Sequence, residues 1–253
     1  MKLLGLTGFP LEHSYSREYF LSKFFKEGMS GIDYINYPIE DISSITEIVK
    51  SNPELIGFNV TYPHKENILS FIDEKDKTVE ATGAANTICI LREGASFKLR
   101  GYNTDVTGFR FLLKGQGSIN NSNALILGTG GASKAVRFAL EELNISVTSV
   151  SRSKKTSDTI LYSDLNNSIL QNSKLIINTT PVGMFPDSKD YPVIPYQYIN
   201  NNNIVIDLIY NPSETEFLRK CKKQGAATVN GLEMLQRQAD EAWRIWKDTF
   251  DLK

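Results

Sequence analysis

The sequence predicts an α/β protein built from two domains that face each other across a cleft. Strand and helix signals alternate regularly through the first hundred residues, which favours a mostly parallel sheet covered by helices. Residues 115–123 then change to the Gly, Gln, Ser and Asn composition that is typical of a loop. A second alternating series begins at Ala124 with an apolar strand and a glycine-rich turn. In a chain of 253 residues, two such series fit two domains of moderate size.

In the N-terminal series, the spacing of apolar residues separates strands from helices. Helices are predicted over residues 16–26 and 41–50, and another from about Lys65. Tyr19, Phe20 and Phe24 share one face of the first helix, and Gly28 follows its end. Strands are predicted over residues 3–7, 33–39, 55–61 and 85–91.

The C-terminal series supplies the second predicted domain. Strands are predicted over residues 124–127, 146–150, 174–178, 204–208 and 226–229, and helices from residue 105 and over 132–143, 214–224 and 232–248. The loop before residue 124 and the helix from residue 105 are the candidate boundary elements. The predicted domains are therefore residues 1–103, completed by the C-terminal helix 232–253, and residues 104–231.

Composition excludes several classes of function. The chain is 41% hydrophobic and 23% charged, and its net charge of -1 offers no electrostatic footprint for nucleic acid or an anionic membrane. No apolar run reaches the length of a membrane span, and the N-terminus lacks the apolar core of a signal peptide. Cys89 and Cys221 fit buried free thiols, and His13 and His64 lack metal-ligand spacing. We expect a soluble cytoplasmic protein without a metal, either a monomer or a homodimer.

The most informative stretch is residues 57–65, Gly-Phe-Asn-Val-Thr-Tyr-Pro-His-Lys. A strand runs into Pro63, which a helix accepts at its first position, so Lys65 is predicted in a helical first turn at the rim of the sheet. Asn59 and Thr61 are two residues apart on the strand and point to the same side. Amide, hydroxyl and amine can therefore converge on one small polar molecule. On this stretch alone, a solvated lysine after a turn remains the alternative.

Other polar residues have structural explanations when each is taken singly. Ser14 and Ser16 flank a helix start and can be turn and capping residues. Asn86 begins a strand, and Asp105 is a natural first-turn acid of the helix that it opens. Together with the residues of the 57–65 stretch, they would suit a small hydroxylated acid.

Residues 124–133 read as strand, glycine turn and helix start. Gly128 permits the tight turn, and Gly130 lets a pyrophosphate approach the backbone. The predicted helix begins at Ala132, after Thr129 and Gly131 in the turn, and its N-terminus offers free N–H groups and the positive end of its dipole. The spacing G-x-G-G-A departs from G-x-G-x-x-G, so a purely structural glycine turn remains the alternative.

The end of the next strand indicates which dinucleotide binds. An NAD site has a carboxylate there, whereas this chain has the basic run Ser151, Arg152, Ser153, Lys154 and Lys155. The arginine can stack on an adenine and fork onto a 2′-phosphate, while the hydroxyls and lysines add donors. A solvated basic turn is the alternative. NADP is the stronger interpretation.

Six motifs follow one another over nearly the whole chain: Ser14-x-Ser16, Asn59-Val60-Thr61-x-Pro63-x-Lys65, Gly83-Ala84-Ala85-Asn86-Thr87, Asn103-Thr104-Asp105, Gly128-x-Gly130-Gly131-Ala132 and Gly231-x-x-Met234-Leu235-x-x-Gln238-Ala239. In content and order they resemble the shikimate dehydrogenase family. The resemblance implies an N-terminal α/β substrate domain and a Rossmann-like NADP-binding domain. The last helix, which carries Gln238, would return to the substrate domain.

The resemblance also implies a role for each matching residue. Lys65 and Asp105 would form the catalytic pair, and both would contact the substrate. Its carboxylate would be bound by Ser14 and Ser16. Its ring hydroxyls would be bound by Asn59, Thr61, Asn86 and Gln238, with Tyr210 towards the substrate and Leu208 and Gly231 towards the nicotinamide. The loop 180–184 would also lie on the nicotinamide side.

The implied reaction is the reversible, NADPH-dependent reduction of 3-dehydroshikimate at C3, which gives shikimate in aromatic amino-acid (chorismate) biosynthesis. Protonated Lys65 would donate a proton to the forming alkoxide, and neutral Lys65 would act as the base in the reverse direction. Asp105 would favour the charged lysine and fix its direction. Oxidation should therefore become faster as the pH rises.

Three positions depart from the family pattern. Arg17 replaces the usual proline, Leu208 stands where methionine is common, and Lys155-Thr156 lacks a second arginine, which weakens one phosphate contact. A quinate/shikimate dehydrogenase with relaxed cofactor use therefore remains an alternative.

Two further classes are weighed against this interpretation. A catalytically silent regulatory binding protein on the same fold is one, and the intact pair Lys65 and Asp105 argues against it. Methylene-tetrahydrofolate dehydrogenases also combine a lysine with a related cofactor domain, but the two serines and Gln238 fit a small polyhydroxy acid better.

Overall fold

The computed structural model describes residues 1–12, 14–94, 96–153 and 156–252. The chain divides into two compact units, residues 1–107 with 238–253, and residues 108–237. Both points of division fall inside helices. The domain boundaries predicted from the sequence lie a few residues earlier, where these helices start. Each of these two helices therefore begins in one unit and ends in the other.

The first unit contains a six-stranded sheet with the order β2-β1-β3-β5-β6-β4. Its strands are β1 (Lys2–Gly8), β2 (Ile32–Pro38), β3 (Leu55–Val60), β4 (Glu74–Lys75), β5 (Thr87–Glu93) and β6 (Ser96–Tyr102). Around them lie α1 (Ser16–Lys26), α2 (Ile45–Ser51), α3 (Lys77–Thr82) and the start of α4 (Thr104–Lys114).

This sheet is mixed: among the described residues three of its strand pairings are parallel, including β4 with β6, and two are antiparallel, so the expected mostly parallel sheet carries an antiparallel part that was not expected. β1 is parallel to β2 and β3, but β5 is antiparallel to both β3 and β6. β6 was not predicted from the sequence, and only two residues separate it from the end of β5. So short a connection can join only antiparallel strands, because a parallel pair requires a long crossover.

The segment after β3 also differs from the expectation. Residues 61–66 form turns, and a short 3₁₀ helix follows over Asn67–Phe71. Lys65 therefore lies in a turn and not in the first turn of an α-helix. The sequence after Pro63 is compatible with either an α-helix or a turn. The Ile68 N–H does donate to the His64 carbonyl over 2.9 Å, as in an α-helix, but the chain continues as a 3₁₀ helix.

Two apolar clusters cover the faces of this sheet. One places Val49, Phe58 and Ile88 on the side of α2. The other joins Phe20 of α1 to Trp246, and the Trp246 indole N–H donates to the Ile88 carbonyl over 3.0 Å. Burial of such large side chains is the main stabilising contribution of a core. It also fixes the C-terminal helix on the sheet.

The second unit contains a six-stranded sheet with the order β12-β11-β10-β7-β8-β9. Its strands are β7 (Asn123–Leu127), β8 (Ser146–Ser151), β9 (Thr159–Leu161), β10 (Leu175–Asn178), β11 (Ile204–Asp207) and β12 (Ala227–Val229). Its helices are α5 (Gly131–Glu141), α6 (Asn167–Asn172), α7 (Glu216–Lys223) and the start of α8 (Leu232–Phe250). Among the residues that the structure describes in this unit, all five pairings between these strands are parallel.

The strand order of this unit is the Rossmann order, three strands on each side of a reversal between β7 and β10. Its central strands are buried along their length, which explains their continuous apolar runs. In such sheets, ligands bind outside the carboxyl ends of the strands at the reversal. This order confirms the predicted Rossmann-like domain.

Within the described ranges, no helix combines the length and hydrophobicity that a bilayer crossing requires. Cys89 and Cys221 are free and buried, as the sequence predicts.

Candidate active site

Lys65 lies in a turn that is held to the first sheet at several points. The His64 ring is buried, and its Nε2 lies 2.8 Å from the Ile39 carbonyl oxygen. The N–H of Ala85 donates to the carbonyl of Lys65 itself over 2.8 Å. The N–H of Thr61 donates to Thr7 at the end of β1, over 2.9 Å. The backbone of Lys65 is therefore fixed without help from a helix.

The ammonium of Lys65 and the carboxylate of Asp105 form an ion pair, with Nζ 2.6 Å from Oδ2. The Asp105 side chain is 6% exposed and that of Lys65 is 19% exposed. Asp105 lies in the first turn of α4, where the helix dipole favours a negative charge. The sequence-predicted pair is thus in contact, in a geometry that suits proton transfer at Nζ.

Asn86 connects this ion pair to its surroundings. Its Nδ2 donates to Asp105 Oδ1 over 2.9 Å and to Gln238 Oε1 over 3.3 Å. Its Oδ1 accepts from the backbone N–H of Thr104 over 2.7 Å. Because a backbone N–H can only donate, this last bond fixes which end of the Asn86 amide faces Asp105.

Gln238 reaches this network from α8. Its Oε1 accepts from Asn86 and also lies 3.4 Å from the Thr104 hydroxyl. Gln238 is about two helical turns before Trp246, which anchors the same helix to the sheet. A residue 152 positions away from Asn86 in the chain is thereby brought into hydrogen-bond contact with it.

Asn59 is bonded to this network, and both the NH₂ group and the oxygen of its side-chain amide bond to other protein groups. Its Nδ2 donates to the Asn86 carbonyl over 3.1 Å and to Thr87 Oγ1 over 3.0 Å. Its Oδ1 accepts from the hydroxyl of the buried Tyr34 over 2.8 Å. Both of its N–H groups are therefore used internally. The substrate contact expected of Asn59 stays a prediction, while its contacts here hold Asn86 and Thr87.

The two serines lie near the same edge of the sheet. Ser14 and Ser16 stand at the start of α1, and Ser14 Oγ accepts from the Ser16 N–H over 3.3 Å. β1 and β3 are parallel neighbours, so the segments after their carboxyl ends, which carry the serines and Thr61, share that edge. Arg17, which departs from the family pattern, donates from Nε to the Tyr34 carbonyl over 3.1 Å and ties α1 to β2.

In the second unit, the glycine turn follows β7. Gly128 has φ +114°, and a Cβ there would lie 2.7 Å from Thr179 Oγ1. Gly130 caps α5, is exposed, and has open space where its Cβ would be. Thr129 is exposed as well, whereas Gly131 and Ala132 are half-buried at the helix start. The free N–H groups of an eleven-residue helix thus adjoin an uncrowded backbone that fits a pyrophosphate.

The basic run begins where β8 ends. Ser151 is the last residue of that strand and is buried, while Arg152 and Ser153 are exposed. Arg152 lies within electrostatic reach of Tyr162: burial raises the pKa of the tyrosine, and the arginine charge opposes that rise. Lys154 and Lys155 lie outside the described residues. An exposed arginine at the end of this strand fits a nucleotide with a 2′-phosphate.

The last predicted cofactor residues follow β11. Gly231 N–H donates to the Ile209 carbonyl over 3.1 Å, and a Cβ on Gly231 would lie 2.0 Å from the Leu208 carbonyl oxygen. Only glycine allows this approach. Leu208 and Tyr210 are half-buried beside it.

Comparison with known proteins identifies the family. The model of the shikimate dehydrogenase substrate binding domain matches residues 6–88. The NADP(+)-dependent shikimate dehydrogenase of Methanococcus maripaludis strain C6 is 40% identical over 261 residues, which cover 97% of this chain and 91% of that protein. This chain belongs to the shikimate dehydrogenase family.

Solved structures of shikimate dehydrogenases agree with the fold. Shikimate dehydrogenase 1 of Peptoclostridium difficile is 38% identical, with a TM-score of 0.84 over 98% of this chain and 92% of that one. A shikimate dehydrogenase crystallised with NADP+ is 32% identical, with a TM-score of 0.86 over 98% of this chain and 90% of that one. The family resemblance and the two-domain α/β fold class are therefore confirmed.

The residues that support the shikimate dehydrogenase motifs were not predicted from the sequence. Tyr34, Thr87 and Thr104 bond to Asn59 or Asn86, but none was assigned a role. Thr87 and Thr104 stand next to assigned residues within their motifs, which is a signal that could have found them. Tyr34 has no such signal, because it lies on a separate strand.

Proposed function

We propose that this chain catalyses the reversible reduction of 3-dehydroshikimate to shikimate with NADPH, a step of aromatic amino-acid biosynthesis. The observation that carries the proposal is the Lys65–Asp105 ion pair, 2.6 Å long and bonded through Asn86 to Gln238. It occurs in a chain 40% identical to an NADP-dependent shikimate dehydrogenase. A silent binding protein would not require this pair of charged groups.

Proton transfer is assigned to Lys65. When bound, NADPH supplies the hydride that reaches the C3 carbonyl carbon. As the carbonyl oxygen gains negative charge, the Lys65 ammonium stabilises it and donates a proton from Nζ. In the oxidation of shikimate, neutral Lys65 accepts the proton of the C3 hydroxyl. Asp105 holds Nζ in place in both directions through Oδ2.

The remaining polar side chains are assigned to substrate binding. Ser14 and Ser16 would donate their hydroxyls to the substrate carboxylate at the sheet edge. The ring hydroxyls would be bound by Asn59, Thr61, Asn86 and Gln238, with Tyr210 towards the substrate. The serines and these side chains together offer both donors and acceptors, which a carboxylate with several hydroxyls requires.

NADP is the proposed cofactor. The turn from Gly128 to Ala132 and the start of α5 would receive the pyrophosphate. Arg152, with Ser151, Ser153, Lys154 and Lys155, would bind the adenosine 2′-phosphate, and Leu208 and Gly231 would face the nicotinamide. A shikimate dehydrogenase of 32% identity crystallised with NADP+ supports this assignment.

One experiment tests the function directly. Purified protein is assayed with shikimate or quinate, each with NADP+ or NAD+, by following the absorbance of the reduced nicotinamide. We expect shikimate with NADP+ to give the highest kcat/KM and Lys65→Ala to abolish most of it. Comparable rates with quinate and NAD+ would favour a quinate/shikimate dehydrogenase. No turnover of any pair by folded protein would contradict the proposal.

The oligomeric state and the compartment stay predictions. Light scattering on the purified protein distinguishes the expected monomer or homodimer from larger assemblies. Fractionation of the cells that express it tests the cytoplasmic location.

A further inference from the structure

Asp207 is a buried carboxylate that the proposed chemistry does not use. It is the last residue of β11 and is fully buried. Its Oδ1 accepts from Asn178 Nδ2 over 3.0 Å and from the Ile209 N–H over 3.1 Å, and its Oδ2 accepts from the Thr215 hydroxyl over 2.6 Å. Among the described residues, no cation pairs with it. A buried charge held only by neutral donors is costly, so its presence calls for a role.

The first donor leads to the loop after β10. Asn178 Oδ1 accepts from the N–H of Thr180 over 3.1 Å and from its hydroxyl over 2.7 Å. The neighbouring Thr179 donates to the Leu127 carbonyl, at the end of β7, over 2.8 Å. The loop 179–184 therefore lies at the reversal of strand order between β7 and β10, where Rossmann sheets bind their ligands. Asp207 therefore orients the Asn178 amide, and the loop 179–184 is bonded to that amide through Thr180.

The second donor fixes the segment after β11. The Ile209 N–H is bonded to Asp207, and the Ile209 carbonyl accepts from Gly231 on the other side. Leu208 and Tyr210 flank this doubly bonded residue. The third donor, Thr215, caps α7: its Oγ1 accepts from the Leu218 N–H over 3.3 Å, so its single hydrogen goes to Asp207.

We propose that Asp207 is a positioning residue for the cofactor: one carboxylate holds the segments 179–184 and 208–210 in their cofactor-binding conformation. This inference rests on the proposed NADP-dependent function. Both segments follow the carboxyl ends of adjacent parallel strands, and the bond between Asn178 and Asp207 links the residues from which they start. A backbone bond from the Leu208 N–H to the Asn178 carbonyl, 3.0 Å, joins the same two stretches of chain. Loss of the carboxylate therefore removes the side-chain bonds that orient both segments, while this backbone bond remains.

An asparagine cannot reproduce this arrangement. Its oxygen could accept from Asn178 and Ile209, but its NH₂ group would face Thr215 Oγ1. An NH₂ group can only donate, so the threonine hydrogen, which now goes to Asp207 Oδ2, would lose its acceptor. Breaking one charge-assisted hydrogen bond in this buried site is expected to weaken the binding of NADP+ by about tenfold.

The test compares Asp207→Asn, Thr215→Val and Thr215→Ser with the unmodified protein. We expect the first two to raise the Kd and the KM for NADP+ by about five- to twentyfold, with the KM for shikimate changed less than about twofold. Thr215→Ser keeps the hydroxyl and should bind NADP+ normally. Cys221→Ala removes a buried side chain of α7 that faces Asp207 but makes none of these hydrogen bonds, so it is the control for an effect of packing alone.

The outcomes separate the two proposals. If Thr215→Val lowers the melting temperature as Cys221→Ala does but leaves the Kd for NADP+ unchanged, Asp207 and its partners are only structural and the inference is wrong. Equal losses for NADP+ and shikimate would overturn it as well. If Asp207→Asn does not fold, the comparison of the Kd for NADP+ between Thr215→Val and Thr215→Ser tests the inference. If the unmodified protein neither binds NADP+ nor oxidises shikimate, the proposed function itself fails.

Discussion

The side-chain amide of Asn86 donates to Oδ1 of Asp105 over 2.9 Å, and this bond leaves Oδ2 for the ammonium of Lys65. Since the amide is itself oriented by the Thr104 N–H, the carboxylate has one defined rotation. The position of the Lys65 ammonium therefore depends on a series of hydrogen bonds, from the Thr104 N–H to Asn86, from Asn86 to Asp105, and from Lys65 to Asp105.

Lys65→Ala should lower kcat by about two to four orders of magnitude, the usual contribution of a general acid–base group. The KM for shikimate should change much less, because the serines, Asn86 and Gln238 remain. Steady-state kinetics in both directions measure this. Lys98→Ala, which removes an exposed lysine of β6, is the control and should behave as the unmodified enzyme. Near-normal turnover of Lys65→Ala would exclude the lysine from the chemistry.

Asp105→Asn should lower kcat by about ten- to a hundredfold. The amide keeps the shape of the carboxylate, but it lacks the charge that holds the Lys65 ammonium, and it cannot accept from both Lys65 and Asn86 through separate oxygens. The loss should therefore be smaller than that of Lys65→Ala. A loss of melting temperature with unchanged kcat would mean that the carboxylate only stabilises the start of α4.

Arg152→Ala should raise the KM for NADP+ by about one to two orders of magnitude, because a charged hydrogen bond to phosphate is lost. The lower end is expected, since neighbouring hydroxyls and lysines can compensate. The KM for NAD+ should change little, because NAD+ has no 2′-phosphate. Arg110→Ala, at an arginine paired with Glu142, is the control. Equal losses for both nucleotides would show that Arg152 serves the shared adenosine or the fold.

Two tyrosines on β2 provide a matched pair. Tyr34→Phe removes the 2.8 Å bond to Asn59 and leaves a buried oxygen without its donor, which should cost about 1–3 kcal/mol of stability. Tyr37→Phe removes a buried hydroxyl that has no hydrogen-bond partner among the described residues, so it should be neutral or stabilising. Thermal or urea unfolding measures both. Equal effects would show that the Tyr34–Asn59 bond adds nothing to stability.

The stability of the protein should respond to Asp207 between about pH 4 and pH 6. Burial raises the pKa of this carboxyl to about 6 from its ordinary value of 3.8. The folded state then holds more protons than the unfolded state, so stability falls as the pH rises through this window, by about 3 kcal/mol at most. Cys221 and Tyr196, which face Asp207, stay neutral because burial also raises their pKa values.

Asp207→Asn removes this titration. The difference in melting temperature between the variant and the unmodified protein should therefore move in favour of the variant from pH 4 to pH 6.5. A difference that is constant over that range would show that the pKa of Asp207 is not raised. Asp187→Asn, at an exposed carboxyl, is the control and should show no such trend.

The sequence predicted the structure best where a segment is apolar along its whole length or carries a recognisable motif. The parallel strands of the second unit are apolar along their length, and the glycine turn between β7 and α5 has few alternatives. β6 and the 3₁₀ helix after Lys65 were not predicted correctly. Their patterns are short, and in short segments local propensity is decided by what the segment packs against.

The sequence by itself determined the family, the two α/β series and the residue types of the site, because these depend on order and spacing along the chain. Only the tertiary structure decided which of those residues touch. The bond between Asn86 and Gln238 spans 152 positions, and the one between Tyr34 and Asn59 crosses from one strand to another. Such contacts depend on sheet order and on the anchoring of α8 by Trp246, and no local pattern records either. For the same reason no role was predicted for Asp207, although it begins a recognised motif, because its three donors come together only when β10, β11 and α7 pack at one edge of the sheet.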